Sequence, residues 1–77
     1  MAIGFVLINT MAGFEHDIRS ALDNIEMVSG RWMLFGEYDL IAKIQADDEA
    51  ELTHCIVEQV RVIPGIKDTK TLIGTEL

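Results

Sequence analysis

The sequence predicts an α+β domain in which a strand, a helix and a second strand occur twice in succession. The first observation is that a helical stripe of apolar residues recurs 38 positions further along the chain. The matching residues are Phe14, Ile18, Leu22, Ile25 and Val28 in the first unit and Leu52, Ile56, Val60, Ile63 and Ile66 in the second. The second observation is that the flanking apolar runs repeat at the same offset, since residues 34–36 fall onto residues 72–74 and Val6 falls onto Ile44. Together they predict the order βαββαβ, the ferredoxin-like sandwich of a four-stranded antiparallel sheet with two helices on one face.

The first unit follows from its apolar pattern. Residues 3–8 are continuously apolar, as expected of a strand that is covered on both faces, and the polar pair Asn9-Thr10 ends it. From Phe14 to Ile25 the apolar residues lie on one side of a helix and charged residues on the other. Residues 27–35 form the predicted second strand, and residues 36–39 form the turn that leads into the third.

The second unit begins with a strand at residues 40–46. Its apolar residues alternate onto one face, which carries Leu40, Ala42, Ile44 and Ala46. The acidic segment at residues 47–51 is typical of a helix start, because an aspartate cap and further carboxylates complement the helix dipole. Pro64-Gly65 ends that helix, and residues 66–75 form the last strand, with Thr69, Thr71 and Ile73 on one face.

The first strand is apolar on both faces, with Ile3, Phe5 and Leu7 on one and Val6 and Ile8 on the other. In this fold both helices lie on the same face of the sheet, so one of the two sets is left without cover. Fully burying such a side chain is worth about 1.5–3 kcal/mol, a large share of a small domain's stability. We therefore expect the bare face to pack against the same face of a second subunit across a two-fold axis.

Composition restricts the class of protein. The 77 residues are expected to form a single domain, residues 1–77, whose core is marginal without reinforcement. Cys55 is the one cysteine, so no internal disulfide can form, and an apolar content of 49% leaves self-association as the reinforcement. The formal net charge of −7, from 13 acidic and 6 basic residues, argues against direct nucleic-acid binding. The N-terminal segment lacks a basic leader and no apolar run reaches the roughly 20 residues of a membrane helix, so we expect a cytoplasmic protein.

The turn at residues 36–39 is the leading candidate for a ligand site. It brings the glycine backbone of Gly36, the phenol of Tyr38 and the carboxylate of Asp39 together at a strand end. Backbone N–H groups can hold the carboxylate of a zwitterion, and Asp39 its ammonium group. The alternative is an ordinary β-turn, in which glycine and aspartate are common. Thr69 and Thr71 can line a polar pocket, although threonine is also a common strand residue.

The remaining polar side chains favour structural roles. His16 and His54 lie one on each helix without a second ligand at metal spacing, and Cys55 lies beside the apolar stripe as a small buried side chain. We therefore expect neither a metal nor a cofactor. The sequence contains no glycine-rich phosphate loop, paired catalytic histidines or activated nucleophile. The loop at residues 9–13 has neither the arginine of an acylphosphatase nor the Cys-x-x-Cys of a metal chaperone.

The turn and the last strand together resemble the effector-binding domain, called RAM, of the Lrp/AsnC transcriptional regulators. The matching segments are Gly36-Glu37-Tyr38-Asp39-Leu40, Ala46-Asp47, Ile63-Pro64-Gly65-Ile66 and Thr69-Lys70-Thr71. The resemblance covers nearly the whole chain and implies dimers formed sheet to sheet, commonly assembled into octameric or decameric rings. It also implies that amino-acid effectors bind between dimers. The residues that it places at or near such a pocket are Gly36, Tyr38, Asp39, Thr69 and Thr71.

Two departures from the family pattern bear on function. Family members usually carry an N-terminal helix-turn-helix, for which these 77 residues leave no room, so we expect a stand-alone version that affects DNA through full-length partner regulators. Phe35 lies where the family often has a small polar residue, and its benzyl group is expected to shrink or repolarise the pocket.

The sequence thus predicts an oligomeric, amino-acid-sensing regulatory module and not an enzyme. Two alternatives stay open at this point. One is a structural or adaptor subunit that co-assembles with full-length Lrp/AsnC regulators without binding a ligand. The other is a small dimeric-barrel enzyme of the same fold, against which the missing catalytic histidine or arginine argues.

Overall fold

The computed structural model describes residues 1–74 and has the predicted βαββαβ order. Its elements are β1 (Ala2–Thr10), α1 (Glu15–Asp23), β2 (Val28–Met33), β3 (Leu40–Ala46), α2 (Glu49–Cys55), a π-helical segment (Ile56–Val60) and β4 (Ile66–Ile73). The strands form one antiparallel sheet in the order β2-β3-β1-β4, so β1 and β3 are central and β2 and β4 are the edges. This arrangement confirms the predicted fold class.

Several element boundaries differ from the prediction. β1 includes Asn9 and Thr10, which were expected to end it, and α1 covers Glu15–Asp23, two residues short of the predicted end at Ile25. β2 ends at Met33 because the chain turns there, and a hydrogen bond of 2.9 Å from Leu34 N to Asp39 O closes the turn. The second helix changes to a π-helix after Cys55, where Arg61 N donates to Ile56 O at 2.9 Å. The apolar spacing did not predict this change, because it suits an α-helix equally well. β4 ends at Ile73 and does not include Gly74, whereas Thr75, the predicted last residue of the strand, lies outside the described residues.

The core lies between the helices and one face of the sheet. Central strands supply one layer and the helical stripes supply the other, each with fully buried side chains. The sheet residues are Val6, Ile8, Leu40, Ala42 and Ile44, and the helical residues are Ile18, Leu22, Leu52 and Val60. Each large side chain buried in this way contributes about 1.5–3 kcal/mol to stability. The middle of each apolar stripe therefore faces the core as predicted, whereas Phe14 at the start of the first stripe is 37% exposed and precedes α1.

The opposite face of the sheet is apolar and has no cover among residues 1–74. Residues directly opposite each other in antiparallel strands share a face, which sets Leu7 beside Ile41 and Phe5 beside Leu72. The apolar side chains on this bare face are Ile3, Phe5, Leu7, Trp32, Ile41 and Leu72. A Cβ at Gly30 would lie 2.7 Å from the ring of Trp32, so the glycine lets the indole lie flat on the strand. Trp32 is still 52% exposed, which excludes it from the core of the single chain.

The ends of the helices are fixed by local contacts. The predicted aspartate cap of α2 is Asp48, whose Oδ1 accepts from Glu51 N at 2.8 Å. The loop before α1 is tied to the start of β4, because Met11 N donates to Gly65 O at 2.8 Å. Gly65 has φ of +97°, and the ring of Phe14 lies against it where a Cβ would be. Among residues 1–74, no helix has both the length and the apolarity to cross a membrane.

Candidate functional site

The candidate site lies at the end of the sheet where the turn between β2 and β3 meets the last residue of β1. Gly36, in this turn, has φ of +123°, a conformation that side chains with a Cβ rarely adopt. No atom lies within 4 Å of a Cβ built at Gly36, so the turn requires glycine for its backbone and not for space. Within residues 1–74, the N–H groups of residues 36–38 donate to no backbone acceptor. Three backbone donors are thus available in an exposed turn.

Asp39 joins this turn to β1 through three hydrogen bonds. Its backbone N–H donates to Ile8 O at 2.9 Å. Its Oδ2 accepts from Thr10 N at 2.9 Å and from Thr10 Oγ1 at 3.3 Å. Thr10 is only 9% exposed, so its backbone N–H depends on this carboxylate for a partner. Asp39 therefore has a structural role that the sequence did not predict.

A second carboxylate approaches the same hydroxyl. Glu15, the first residue of α1, places Oε1 3.4 Å from Thr10 Oγ1 and is itself half-buried. A threonine hydroxyl has one proton and can donate it to only one of the two carboxylates at a time. The second oxygen of Asp39, Oδ1, accepts no hydrogen bond from residues 1–74. This acidic pair, Glu15 and Asp39, has unused acceptor capacity of the kind that suits an ammonium group.

Sequence reasoning missed Thr10 and Glu15 as members of this cluster. Thr10 carried a visible signal, since a polar residue directly after an apolar strand lies at the sheet end where turns meet. Thr10 and Asp39 are 29 residues apart in the sequence, and their contact depends on the register of β1 with β3. The register between two strands cannot be predicted from the local sequence pattern around either of them.

Thr69 lies nearer to the turn than Thr71 does. It is paired with Ile8 of β1, and Ile8 is paired with Leu40, the residue that follows Asp39. Two strand spacings therefore put Thr69 about 10 Å from the start of β3, on the same face of the sheet. Thr71 is paired with Val6, one step further from the turn.

Thr71 instead lines a groove between β4 and the helical layer. The groove has a volume of about 340 Å³, and its other lining residues are Thr53, Ile56, Val57, Arg61 and Ile73. Within one chain the structure therefore brings Gly36, Tyr38 and Asp39 together and leaves Thr71 apart. Tyr38 is half-buried, whereas Phe35 beside the turn is fully exposed.

The other polar candidates have the structural roles that the sequence predicted. His16 and His54 are exposed, and a ring nitrogen of His16 lies 2.7 Å from the guanidinium of Arg19. Cys55 is buried, and desolvation raises the pKa of its thiol, which suppresses the reactive thiolate. Over residues 1–74, the acidic, histidine and cysteine side chains form no group of three or more that is placed to hold a metal ion.

The chain is a ferredoxin-like sandwich whose polar cluster lies at the turn between β2 and β3. Residues 4–76 match the family model described as the Lrp/AsnC ligand binding domain. The chain belongs to this family. Membership confirms the resemblance read from the turn and the last strand. It also confirms that the chain is of a regulatory and not an enzymatic family.

Individual relatives agree with this assignment. The HTH-type transcriptional regulator FL11 of Pyrococcus abyssi (strain GE5 / Orsay) is 30% identical over 71 residues, which are 92% of this chain and 46% of that protein. The chain thus spans about half the length of this relative. The crystal structure of FFRP-DM1 superposes with a TM-score of 0.92 at 35% identity, covering 97% of this chain and 100% of its own. The hypothetical protein PHS023 from Pyrococcus horikoshii gives 0.91 at 34% identity, covering 100% of this chain and 93% of its own.

The contact between Asp39 and Thr10 predicts a difference between two substitutions. Asp39→Ala removes the acceptor of a buried N–H group and should lower the free energy of unfolding by about 1–3 kcal/mol. Asp39→Asn keeps an oxygen acceptor in the same place and should lower it by about 1 kcal/mol or less. Urea unfolding followed by circular dichroism measures both. Glu26→Ala, at an exposed turn position with no hydrogen bond to Thr10, is the control and should stay within about 0.5 kcal/mol of the parent. Equal losses for the alanine and asparagine variants would show that the Thr10 contact is not what Asp39 contributes.

Proposed function

We propose that the chain is an amino-acid-sensing module that oligomerises and modulates transcription through partner regulators in the cytoplasm. One observation carries the ligand part of this proposal: Asp39 and Glu15 converge on the single hydroxyl of Thr10, and Oδ1 of Asp39 is left without a partner among residues 1–74. A cation at this point balances two carboxylates that one hydroxyl cannot satisfy together. The α-ammonium group of an amino acid is such a cation.

The turn supplies hydrogen-bond donors for the carboxylate group of a zwitterionic ligand. The N–H groups of residues 36–38 are free of backbone partners in the described chain, and they lie next in sequence to Asp39. The α-carboxylate of the ligand accepts from these donors while its ammonium group binds the acidic pair. A ligand with only one of the two charges leaves either the backbone N–H groups or the acidic pair without a partner. The ligand class is therefore free α-amino acids, with Gly36, Tyr38 and Asp39 as the primary contacts.

The threonines complete the pocket across a subunit boundary. Thr69 lies within about 10 Å of the turn in its own chain, whereas Thr71 faces a separate groove. Assembly of dimers into a ring, octameric or decameric, brings the Thr71 strand of one dimer to the turn of the next. A pocket formed in this way couples amino-acid binding to assembly, because each ligand contacts two dimers.

A distant structural relative is consistent with this ligand class. The structure of the transcriptional regulator NMB0573 from Neisseria meningitidis is a complex with L-Met. It shares the fold at a TM-score of 0.86 with 14% identity, over 97% of this chain and 50% of its own. At that identity the likeness extends to the fold alone. The ligand proposal for this chain rests on the geometry of its own residues.

The amino-acid proposal predicts a selective thermal response. In a screen of the twenty amino acids, at least one should raise the melting temperature, since a ligand at 100 times its dissociation constant adds about 2.7 kcal/mol. With that amino acid, calorimetric titration of Asp39→Asn should show an affinity about ten-fold or more below the parent. The reason is that a hydrogen bond to a charged group is worth about 1.5–3 kcal/mol, and 1.4 kcal/mol is a factor of ten.

Two controls separate ligand contact from structural damage. Glu15→Gln removes the second carboxylate of the acidic pair and should also weaken binding, whereas Glu26→Gln removes an exposed carboxylate elsewhere and should not. The sedimentation profile of Asp39→Asn should match that of the parent protein. Unchanged affinity in Asp39→Asn would remove the residue from the site, and a collapsed assembly would make its role structural.

The second candidate function is a subunit that co-assembles with full-length regulators and binds no ligand. The observation that favours it is Phe35, whose side chain is fully exposed next to Gly36, where it competes for the space beside the turn. A screen in which no amino acid shifts the melting temperature supports this second function over the first.

The oligomerisation part of the proposal rests on the bare face of the sheet. Six apolar side chains lie there, and Trp32 and Leu72 are each about half exposed in the single chain. Lys43 and Lys70 lie on the same face, which keeps it from being uniformly apolar. Two-fold packing of this face against itself covers the apolar side chains and lets the long lysines reach solvent at the rim.

Leu7→Asp should convert the dimer to a folded monomer. It places a carboxylate in the middle of the covered face, where it has no partner and cannot be hydrated. Sedimentation velocity should give a mass near 8.6 kDa for the variant and at least twice that for the parent. Circular dichroism should be unchanged, because Leu7 lies outside the core between sheet and helices. Val62→Asp, an exposed apolar position off the sheet face, is the control and should stay at least dimeric. A parent protein that is itself monomeric at micromolar concentration would contradict the proposal.

The protein alone should not bind DNA, so its effect on transcription passes through a partner. The formal net charge is −7, and the described residues form two helices and a π-helical segment that pack on one sheet. In a gel-shift experiment at low salt, where screening is weakest, the pure protein should not retard duplex DNA. A helix-turn-helix regulator with its operator serves as positive control. Retardation by the pure protein would show that it contacts DNA directly.

A further inference from the structure

The groove that contains Thr71 is an apolar surface with one cation. Val57 and Ile73 face it and are each 43% exposed, although both are large apolar side chains. Arg61 lies at the same groove and forms no ion pair with any of residues 1–74, where the one ion pair joins Arg31 to Asp23. Twelve of the 13 acidic residues lie within residues 1–74, and none of them pairs with this arginine. An arginine without a carboxylate partner in this part of the chain, beside exposed aliphatic side chains, indicates a surface that a second molecule can cover.

The tip of the turn between β2 and β3 has the complementary properties. Phe35 is more exposed than any other large apolar side chain of the described residues, at 108% of its reference area. Glu37, two residues further along, is exposed and forms no ion pair within residues 1–74. The tip therefore presents an aromatic side chain and a carboxylate together, and the groove presents aliphatic side chains and a guanidinium together.

Tip and groove cannot meet within one chain. The tip follows β2, an edge strand, and lies at the end of the sheet where β1 ends. The groove borders β4, the opposite edge, and extends from Thr71 toward Ile73, which is paired with Gly4 near the start of β1. The two surfaces thus lie at opposite edges of the sheet. A contact between them joins two copies head to tail, which forms a closed ring or an open filament.

We propose that Phe35 of one copy inserts into the groove of the next copy, between Val57 and Ile73, and that Glu37 pairs there with Arg61. The occupant of the groove is thus a second copy of this chain. The inference rests on the proposed assembly of dimers and deepens it, since it names the contact that joins one dimer to the next. In this arrangement Phe35 of one copy fills the groove that Thr71 lines in the next copy. Dimers therefore associate without a bound amino acid, and a bound amino acid changes the strength of that association.

The first test removes the aromatic side chain. By sedimentation velocity without amino acids, the parent should form species larger than a dimer, and Phe35→Ser should stop at the dimer, twice 8.6 kDa. Met11→Ser, which truncates another exposed apolar side chain outside any strand or helix, should keep the mass of the parent. Circular dichroism of Phe35→Ser should be unchanged, because a fully exposed side chain contributes nothing to the core. A Phe35→Ser protein with the mass of the parent would overturn the proposal.

The second test exchanges the charges. Glu37→Arg and Arg61→Glu should each shift the distribution toward dimers, because each sets like charges against one another. The double variant restores an opposite pair and should regain the mass of the parent. A double variant that stays as dissociated as the single variants would overturn the proposed pairing.

The mass measurements test the contact between dimers, and the amino-acid screen tests the sensing function, so either proposal can be refuted without the other. Larger assemblies that depend on Phe35 but respond to no amino acid leave this contact in place and remove the sensing function. Amino-acid binding by assemblies that are indifferent to Phe35→Ser leaves the sensing function in place and removes this contact.

Discussion

The central strand β1 is apolar on both faces, and the two helices reach only one of them. Val6 and Ile8 are fully buried against α1 and α2, while Phe5 and Leu7 alternate with them onto the bare face. The period of two in a strand fixes this division, since a shift by one residue would exchange the two sets. Among residues 1–74, no further element lies over the second face. The stability of the fold and the proposed self-association are therefore two consequences of one strand.

The same strand also carries the polar cluster. Thr10 is the residue at which β1 leaves the sheet, and its N–H and hydroxyl hold the carboxylate of Asp39 from the neighbouring turn. Glu15 follows five residues later and approaches from the start of α1. Strand register and the position of α1 thus place two carboxylates around one hydroxyl at a partly buried position. In the proposed site, the ammonium group of a ligand would lie beside both carboxylates, which would link the stability of the turn to occupancy of the site.

Much of the fold follows from the sequence because its pattern is repeated. The stripe from Ile18 to Leu22 and its copy from Ile56 to Val60 face the core as the periodicity required. Asp48 caps α2 because a side-chain acceptor precedes a run of residues that favours a helix. The π-helical segment was not predicted, because it keeps the same apolar side chains inward while changing only the backbone hydrogen bonds.

The site followed less closely from the sequence. Gly36 and Asp39 are identified by turn chemistry, and the positive φ of Gly36 agrees with it. Thr10 and Glu15 were not identified, because the contact of Thr10 with Asp39 arises from strand register and its contact with Glu15 from the position of α1. Thr71 was grouped with the turn, although within one chain it faces a groove on the far edge. Its proposed role in the ligand site depends on a neighbouring copy, and the relative placement of two copies cannot be predicted from the local sequence pattern of one chain.

The claim on which the rest depends is that the bare face of β1 packs against its copy in solution. Isotope-filtered nuclear Overhauser spectroscopy on a mixture of labelled and unlabelled protein reports only contacts between different copies. The account predicts cross-peaks between methyl groups of Ile3 or Leu7 in one copy and aromatic protons of Phe5 or Trp32 in the other. A spectrum without such cross-peaks, with the relaxation rates of an 8.6 kDa particle, would contradict it.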